Sequence, residues 1–145
     1  MNLASDVPKY AVLLVLVAGV GAVAWNLLGP KETATMAAGS LRIPELSPVA
    51  SEGKAAFDSV CAACHGANAT GTDKGPPLLH PVYNPGHHSD EAFYLAALRG
   101  ARQHHWRFGD MPAQLQVSKE QVATIIQYVR EMQRANGITY QPHSM

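Results

Sequence analysis

The chain has 145 residues, with 11 basic and 11 acidic side chains and a formal net charge of zero. Only 15% of the residues are charged, so no basic face is offered to nucleic acid. The length allows one small domain and a further segment, and excludes a multidomain enzyme.

The further segment comes first. From Tyr10 to Leu28 the stretch YAVLLVLVAGVGAVAWNLL carries nineteen residues without a charge. As a helix it would be about 28 Å long, close to the thickness of a bilayer's hydrocarbon core. Lys9 and Lys31 flank it and Trp25 stands at an interfacial position, which together predict a transmembrane anchor over residues 10–28 behind a tail of residues 1–9. Ala22-Val23-Ala24 also has the form of a signal-peptidase site, so a cleaved signal is the competing reading. Either one sends the rest of the chain across a membrane. Lys9 on one side, against Lys31 and Arg42 on the other, assigns no orientation.

Residues 29–50 (GPKETATMAAGSLRIPELSPVA) mix Gly, Pro, Ser, Thr and Ala without periodicity and predict a flexible tether with a reach of about 25 Å. A helix is then expected from Ser51 as N-cap through EGKAAFDSVCAACH, with Phe57, Val60 and Cys61 to one side. It holds both cysteines of the chain, in DSVCAACHG. A CxxC pair can be a disulfide, a redox dithiol or half of a zinc site. A bridge closing so small a loop constrains the unfolded chain little. The strand–helix patterning of a thioredoxin-like dithiol is missing, and no second Cys/His pair stands at zinc spacing. With His65 directly behind Cys64, the motif is the C-x-x-C-H signature of c-type haem attachment. At about 100° per residue Cys61, Cys64 and His65 share one helix face, so both thiols can meet one haem edge while His65 turns under the iron.

A second helix is expected from the cap Ser89, with Asp90 and Glu91 in its first turn, to Gly100. A third has Ser118 and Gln121 as a capping box, Val117 and Val122 as a staple, and Asn136-Gly137 as its end. Its positions Val122, Ile125, Ile126, Val129 and Met132 recur at helical spacing and predict a core face. So small and loop-rich a domain needs something to fill its middle.

From Ser51 to Gly137 the chain resembles the small monohaem, class I-like c-type cytochromes. The resemblance rests on Cys61-Ala62-Ala63-Cys64-His65, on Gly75-Pro76-Pro77-Leu78 behind it, and on Met111-Pro112 in a loop before the last helix. It implies an all-α domain of three to four short helices around one covalent haem c, over residues 51–138, with a tail of residues 139–145. It further implies Cys61 and Cys64 as thioether positions, His65 as proximal and Met111 as distal iron ligand. The Pro76 carbonyl would then accept the His65 Nδ1 proton, and Leu78 would pack on the haem. Tyr128 and Gly53 match the family's aromatic–glycine contact between last and first helices, and Phe57 the aromatic one turn on.

Such a haem has no open position for substrate, so the resemblance implies a one-electron carrier rather than an enzyme. With its anchor it would sit single-pass in a bacterial inner membrane, haem domain on the periplasmic side. Its expected partners are redox complexes, respiratory or photosynthetic, such as a quinol-oxidising cytochrome complex and a terminal oxidase. The alternatives are a fixed haem subunit of a larger oxidoreductase and a gas-sensing haem protein. The sequence departs from the family in a histidine-rich span: His80, His87, His88, His104 and His105, interleaved with Tyr83, Trp106 and Arg107. One reading gives Trp106, Tyr83 or Arg107 a haem propionate. Another gives the histidines a second metal, copper or zinc, and a third lets a histidine replace Met111.

Overall fold

The computed structural model describes residues 3–28 and 41–142, with side chains for residues 10–25, 27–28 and 41–142. Five α-helices follow one another: α1 (Leu3–Leu28), α2 (Pro48–Val60), α3 (Ala62–His65), α4 (Asp90–Arg99) and α5 (Lys119–Ala135). Two 3-10 turns, Ala67–Ala69 and Pro81–Tyr83, lie between α3 and α4. The chain divides into two units, the first ending at Glu32.

In the first unit α1 begins at Leu3, so backbone helix replaces most of the expected N-terminal tail. Among the residues described with side chains, no helical stretch is long and apolar enough to cross a membrane. Most of the expected tether, residues 29–40, lies outside the described residues.

The second unit is built on α2 and α5. The expected tether end at Ala50 is corrected: residues 41–47 are fixed to the domain, and α2 starts at Pro48 rather than behind Ser51. The reason is long-range. Ser47 caps α2 by accepting from the Ala50 amide at 3.2 Å, while its own N–H and hydroxyl donate to the Glu131 carboxylate at 3.0 and 2.7 Å. Pro48 then supplies a φ already suited to the first helical turn. Upstream, Arg42 and Asn136 exchange two hydrogen bonds, 2.9 and 2.8 Å long.

α2 and α5 touch closely because Gly53 leaves room: a Cβ there would meet the Thr124 carbonyl and the Ile125 amide. Tyr128, the residue expected at this helix contact, packs on Phe57, with ring centroids 5.3 Å apart and planes tilted by 56°. Such a pair is worth about 0.5–1.5 kcal/mol beyond its burial. α5 is the best-specified element, and the structure keeps its predicted capping box and buries Val122, Ile125, Ile126, Val129 and Met132. α4 likewise keeps its Ser89 cap and ends at Gly100.

The buried face of α5 also carries two polar residues. Arg130, 5% exposed, donates from Nε to Asp90 (2.8 Å), from Nη1 to the Tyr83 carbonyl (3.0 Å) and from Nη2 to the His88 carbonyl (2.5 Å). Gln133 Nε2 donates to the Leu78 and Tyr83 carbonyls, 2.9 and 3.0 Å away. Burial of these groups is tolerable because each is hydrogen-bonded, and the bonds tie residues 78–90 to α5. Ile138, the expected last residue of the domain, is buried, and the tail expected from residue 139 is tied down further on, where the Gln141 amide donates to Asn84 Oδ1 at 3.2 Å.

Gly53→Ala is expected to force α2 off α5 and destabilise the domain by about 1–3 kcal/mol, the usual cost of overpacking. Urea unfolding of the variant beside the parent protein checks this.

Candidate functional site

α2 ends at Val60 and the chain turns at Cys61 into the single turn of α3, whose amides from Cys64 and His65 both donate to the Cys61 carbonyl, at 3.1 and 2.9 Å. The cysteines and His65 are thereby held on one tight turn, as their spacing predicts. Gly66 then reverses the chain at φ +77°, and a Cβ there would strike the Gly71 carbonyl. The next loop folds back over the motif: Thr72 Oγ1 donates to the Cys64 carbonyl at 2.6 Å.

That return brings Pro76 to His65, whose Nδ1 lies 2.9 Å from the Pro76 carbonyl. A carbonyl can only accept, so Nδ1 carries the hydrogen and Nε2 is left as a lone pair, the form an iron ligand needs. Burial holds the His65 pKa below its ordinary 6.5, with the bond to Pro76 opposing part of that shift. Cys61 is half-buried and its thiol is pushed up to about 11, first by burial and then by Cys64 beside it. A redox-active dithiol needs a lowered thiol pKa instead. Both cysteines are free thiols, and Cys64 is exposed.

Cys61, His65, Pro76 and Leu78 form one side of an apolar cavity enclosing about 1030 Å³, counted out to its open mouth. Ile125 and Ile126 of α5 form its back, and Met111 faces it from the far loop. Met111 is placed by an isolated antiparallel bridge: Ala101 N–H donates to the Met111 carbonyl at 3.0 Å and Met111 N–H to the Ala101 carbonyl at 2.8 Å. Cys64 is not among the lining residues. Leu78, 8% exposed, belongs to the hydrophobic core as well as to the cavity wall.

The histidine-rich span reaches the same cavity, where His88, His104, His105, Trp106 and Tyr83 line the wall. His80 stands apart from the other four, its ring edge-on to Trp106 with centroids 5.0 Å apart and its Nδ1 accepting from the Val82 amide at 3.2 Å. Burial raises the Tyr83 hydroxyl pKa, and the Trp106 indole beside it works the other way. Even so, Trp106 Nε1 is buried without a hydrogen bond of sound geometry.

The residues present fit a haem. An apolar cavity is lined by the Cys61 thiol, the His65 imidazole and the Met111 thioether, and Cys64 stands on the same tight turn as Cys61. A buried indole N–H stands ready for an acid group. Sequence reasoning missed Arg130 and Gln133, which hold the Leu78–Asp90 segment. The signal was present, since Arg130 follows Ile126 by four residues and so falls on the apolar face.

Fold and site together define a small helical domain with a covalent haem attachment site. The chain belongs to the cytochrome c family, whose model, described as Cytochrome c, matches residues 50–133. That family binds haem c covalently, and Cys61 and Cys64 lie within the match. Haem-based electron transfer is its class of activity. No curated protein and no solved structure matches the chain.

Burial also lowers the pKa of His80, His88 and His105 below 6.5, His88 and His105 being lowered further by neighbouring imidazoles. As pH falls through 6.5 the unfolded chain takes up protons that these three folded histidines, and His65 with them, refuse. Stability is therefore complete above that pH and lost progressively down through the depressed folded values. A lower urea midpoint at pH 5 than at pH 7 is the expected outcome, with tryptophan fluorescence as the readout.

Proposed function

We propose that the protein is a membrane-anchored one-electron carrier with His65 and Met111 as the axial iron ligands of its single haem c. The observation that carries this reading is the placement of Cys61, His65 and Met111 around one apolar cavity. The haem supplies a ferrous/ferric couple that exchanges one electron with little rearrangement. The chain's own residues do the rest. Cys61 and Cys64 would hold the haem, each S–H adding across a vinyl C=C with its hydrogen passing to the other vinyl carbon, while Pro76 fixes the imidazole tautomer and the Ala101–Met111 bridge holds the distal residue in register. Ile125, Ile126 and Leu78 exclude water, which favours a methionine ligand and a raised potential.

Two protein ligands leave no position for a substrate, which supports a carrier over an enzyme. The anchor is supported by the nineteen uncharged residues Tyr10 to Leu28 and by the continuity of α1 to Leu28. A haem domain on the periplasmic face of a bacterial inner membrane follows from that reading, because c-type attachment is made after translocation. Redox complexes meeting the domain through small, weak contacts are its partners, with a quinol-oxidising cytochrome complex as donor and a terminal oxidase as acceptor.

Cys61→Ala or Cys64→Ala is expected to leave at most one thioether, seen as a shifted pyridine haemochrome band and a lower holoprotein yield. Met111→Ala should abolish the near-infrared methionine-to-iron band and lower the midpoint potential by on the order of 100 mV, axial ligands setting haem potentials over about 0.8 V. An unchanged band would assign the distal position to another residue. Carbonate washing of membranes should leave the full chain in the pellet and release a chain lacking residues 1–28; release of both would remove the anchor.

A further inference from the structure

Four histidines have no part in the haem reading, yet two separate loops bring them together. His87 and His88 close the turn behind Tyr83, and His104 and His105 lie in the loop between Ala101 and Met111. His87, His88 and His105 each offer a ring nitrogen within 4.8 Å of the other two. The Nε2 atoms of His87 and His105 are 3.1 Å apart, and those of His88 and His104 are 3.4 Å apart. Metal–imidazole bonds of about 2.0–2.1 Å put tetrahedral donors about 3.3 Å from one another. The His87–His105 and His88–His104 distances each match two ligands on one ion, and His88 brings the two pairs together within 4.8 Å of His87 and His105.

The tautomers sharpen this. His88 Nδ1 is 2.8 Å from the Val82 carbonyl and His104 Nδ1 is 2.7 Å from the Arg102 carbonyl. Carbonyls only accept, so both rings carry their hydrogen on Nδ1. Their Nε2 lone pairs then face each other at 3.4 Å, an arrangement that neutral rings alone leave repulsive. A cation between them relieves it, and a backbone carbonyl on Nδ1 is the usual support for a metal-bound imidazole. A single proton would satisfy that pair alone, without the convergence of His87 and His105.

Both loops are braced as a rigid site requires. The His87 and His88 amides donate to the Asn84 carbonyl at 3.1 and 2.9 Å, and Arg130 holds the His88 carbonyl. In the other loop the Gln103 amide donates to Asp110 at 3.0 Å and the Gly109 amide to the Gln103 side chain at 2.9 Å. The donor set is all imidazole, which suits copper and zinc and not the oxygen-seeking magnesium or calcium.

We propose that His87, His88 and His105, with His104 at their edge, bind one copper(II) or zinc(II) ion beside the haem cavity. The test uses the full-length holoprotein in detergent, stripped with a chelator and titrated with zinc(II) by calorimetry and with copper(II) by electron paramagnetic resonance. Saturation at one ion per chain, with nitrogen hyperfine structure on the copper signal, is expected. The double variant His87→Gln/His105→Gln should weaken binding at least tenfold, given that loss of even an outer support costs about 10–100-fold. An unaltered haem spectrum and circular dichroism certify that the variants fold, and the near-infrared methionine band reads haem ligation separately. Failure to bind either ion in stoichiometric amount, or binding undiminished in the double variant, overturns the proposal.

Discussion

At Gly53 two helices cross with no side chain between them, and much of the domain's geometry follows from that contact. The absence of a Cβ lets α2 lie against the Thr124–Ile125 backbone of α5. One turn on, Phe57 meets Tyr128; one turn beyond that stands Cys61, on the cavity that Ile125 and Ile126 also line. The position of the attachment motif relative to the cavity's back wall is thus set from outside the cavity, by the closest approach of two helices.

The other walls depend on a buried cation. Arg130 brings a charge into the interior, a costly move unless every donor is used. Here its donors go to Asp90 and to the carbonyls of Tyr83 and His88, with its face over Phe93, 4.7 Å from the ring centroid. Gln133 adds the carbonyl of Leu78. A stretch with little regular structure is therefore fastened to the most stable helix through its own backbone, which hydrophobic contacts alone would do with less directional precision. Loops hold most of the chemistry in this domain, and this fastening gives them fixed positions.

The features legible in the sequence are those decided within a few residues. The capping box Ser118–Gln121, the Ser89 cap, the buried stripe of α5 and the tight Cys61–His65 turn all depend on local spacing, and the structure keeps them. What was not legible depends on partners far along the chain. Pro48 opens α2 because Glu131 holds Ser47, and residues 41–47 are fixed because Asn136 meets Arg42. Gly53 was singled out, but that the Thr124–Ile125 backbone comes closest to it was not, since a glycine advertises a close approach without naming what approaches. The histidine pairs were conspicuous as pairs. Their meeting required knowing that the turn after Tyr83 and the Ala101–Met111 loop share a wall.

The Ala101–Met111 bridge has a consequence for how such a protein can diversify. Two reciprocal hydrogen bonds close the base of this loop, so the backbone register of Met111 is fixed at the base and not by the residues between. The loop also lines the cavity, through His104, His105, Trp106 and Phe108. Exchanges within it therefore alter the cavity wall while the clasp keeps the Met111 backbone in place, so a lineage can retune the surroundings of the site without displacing the residue at the loop's root.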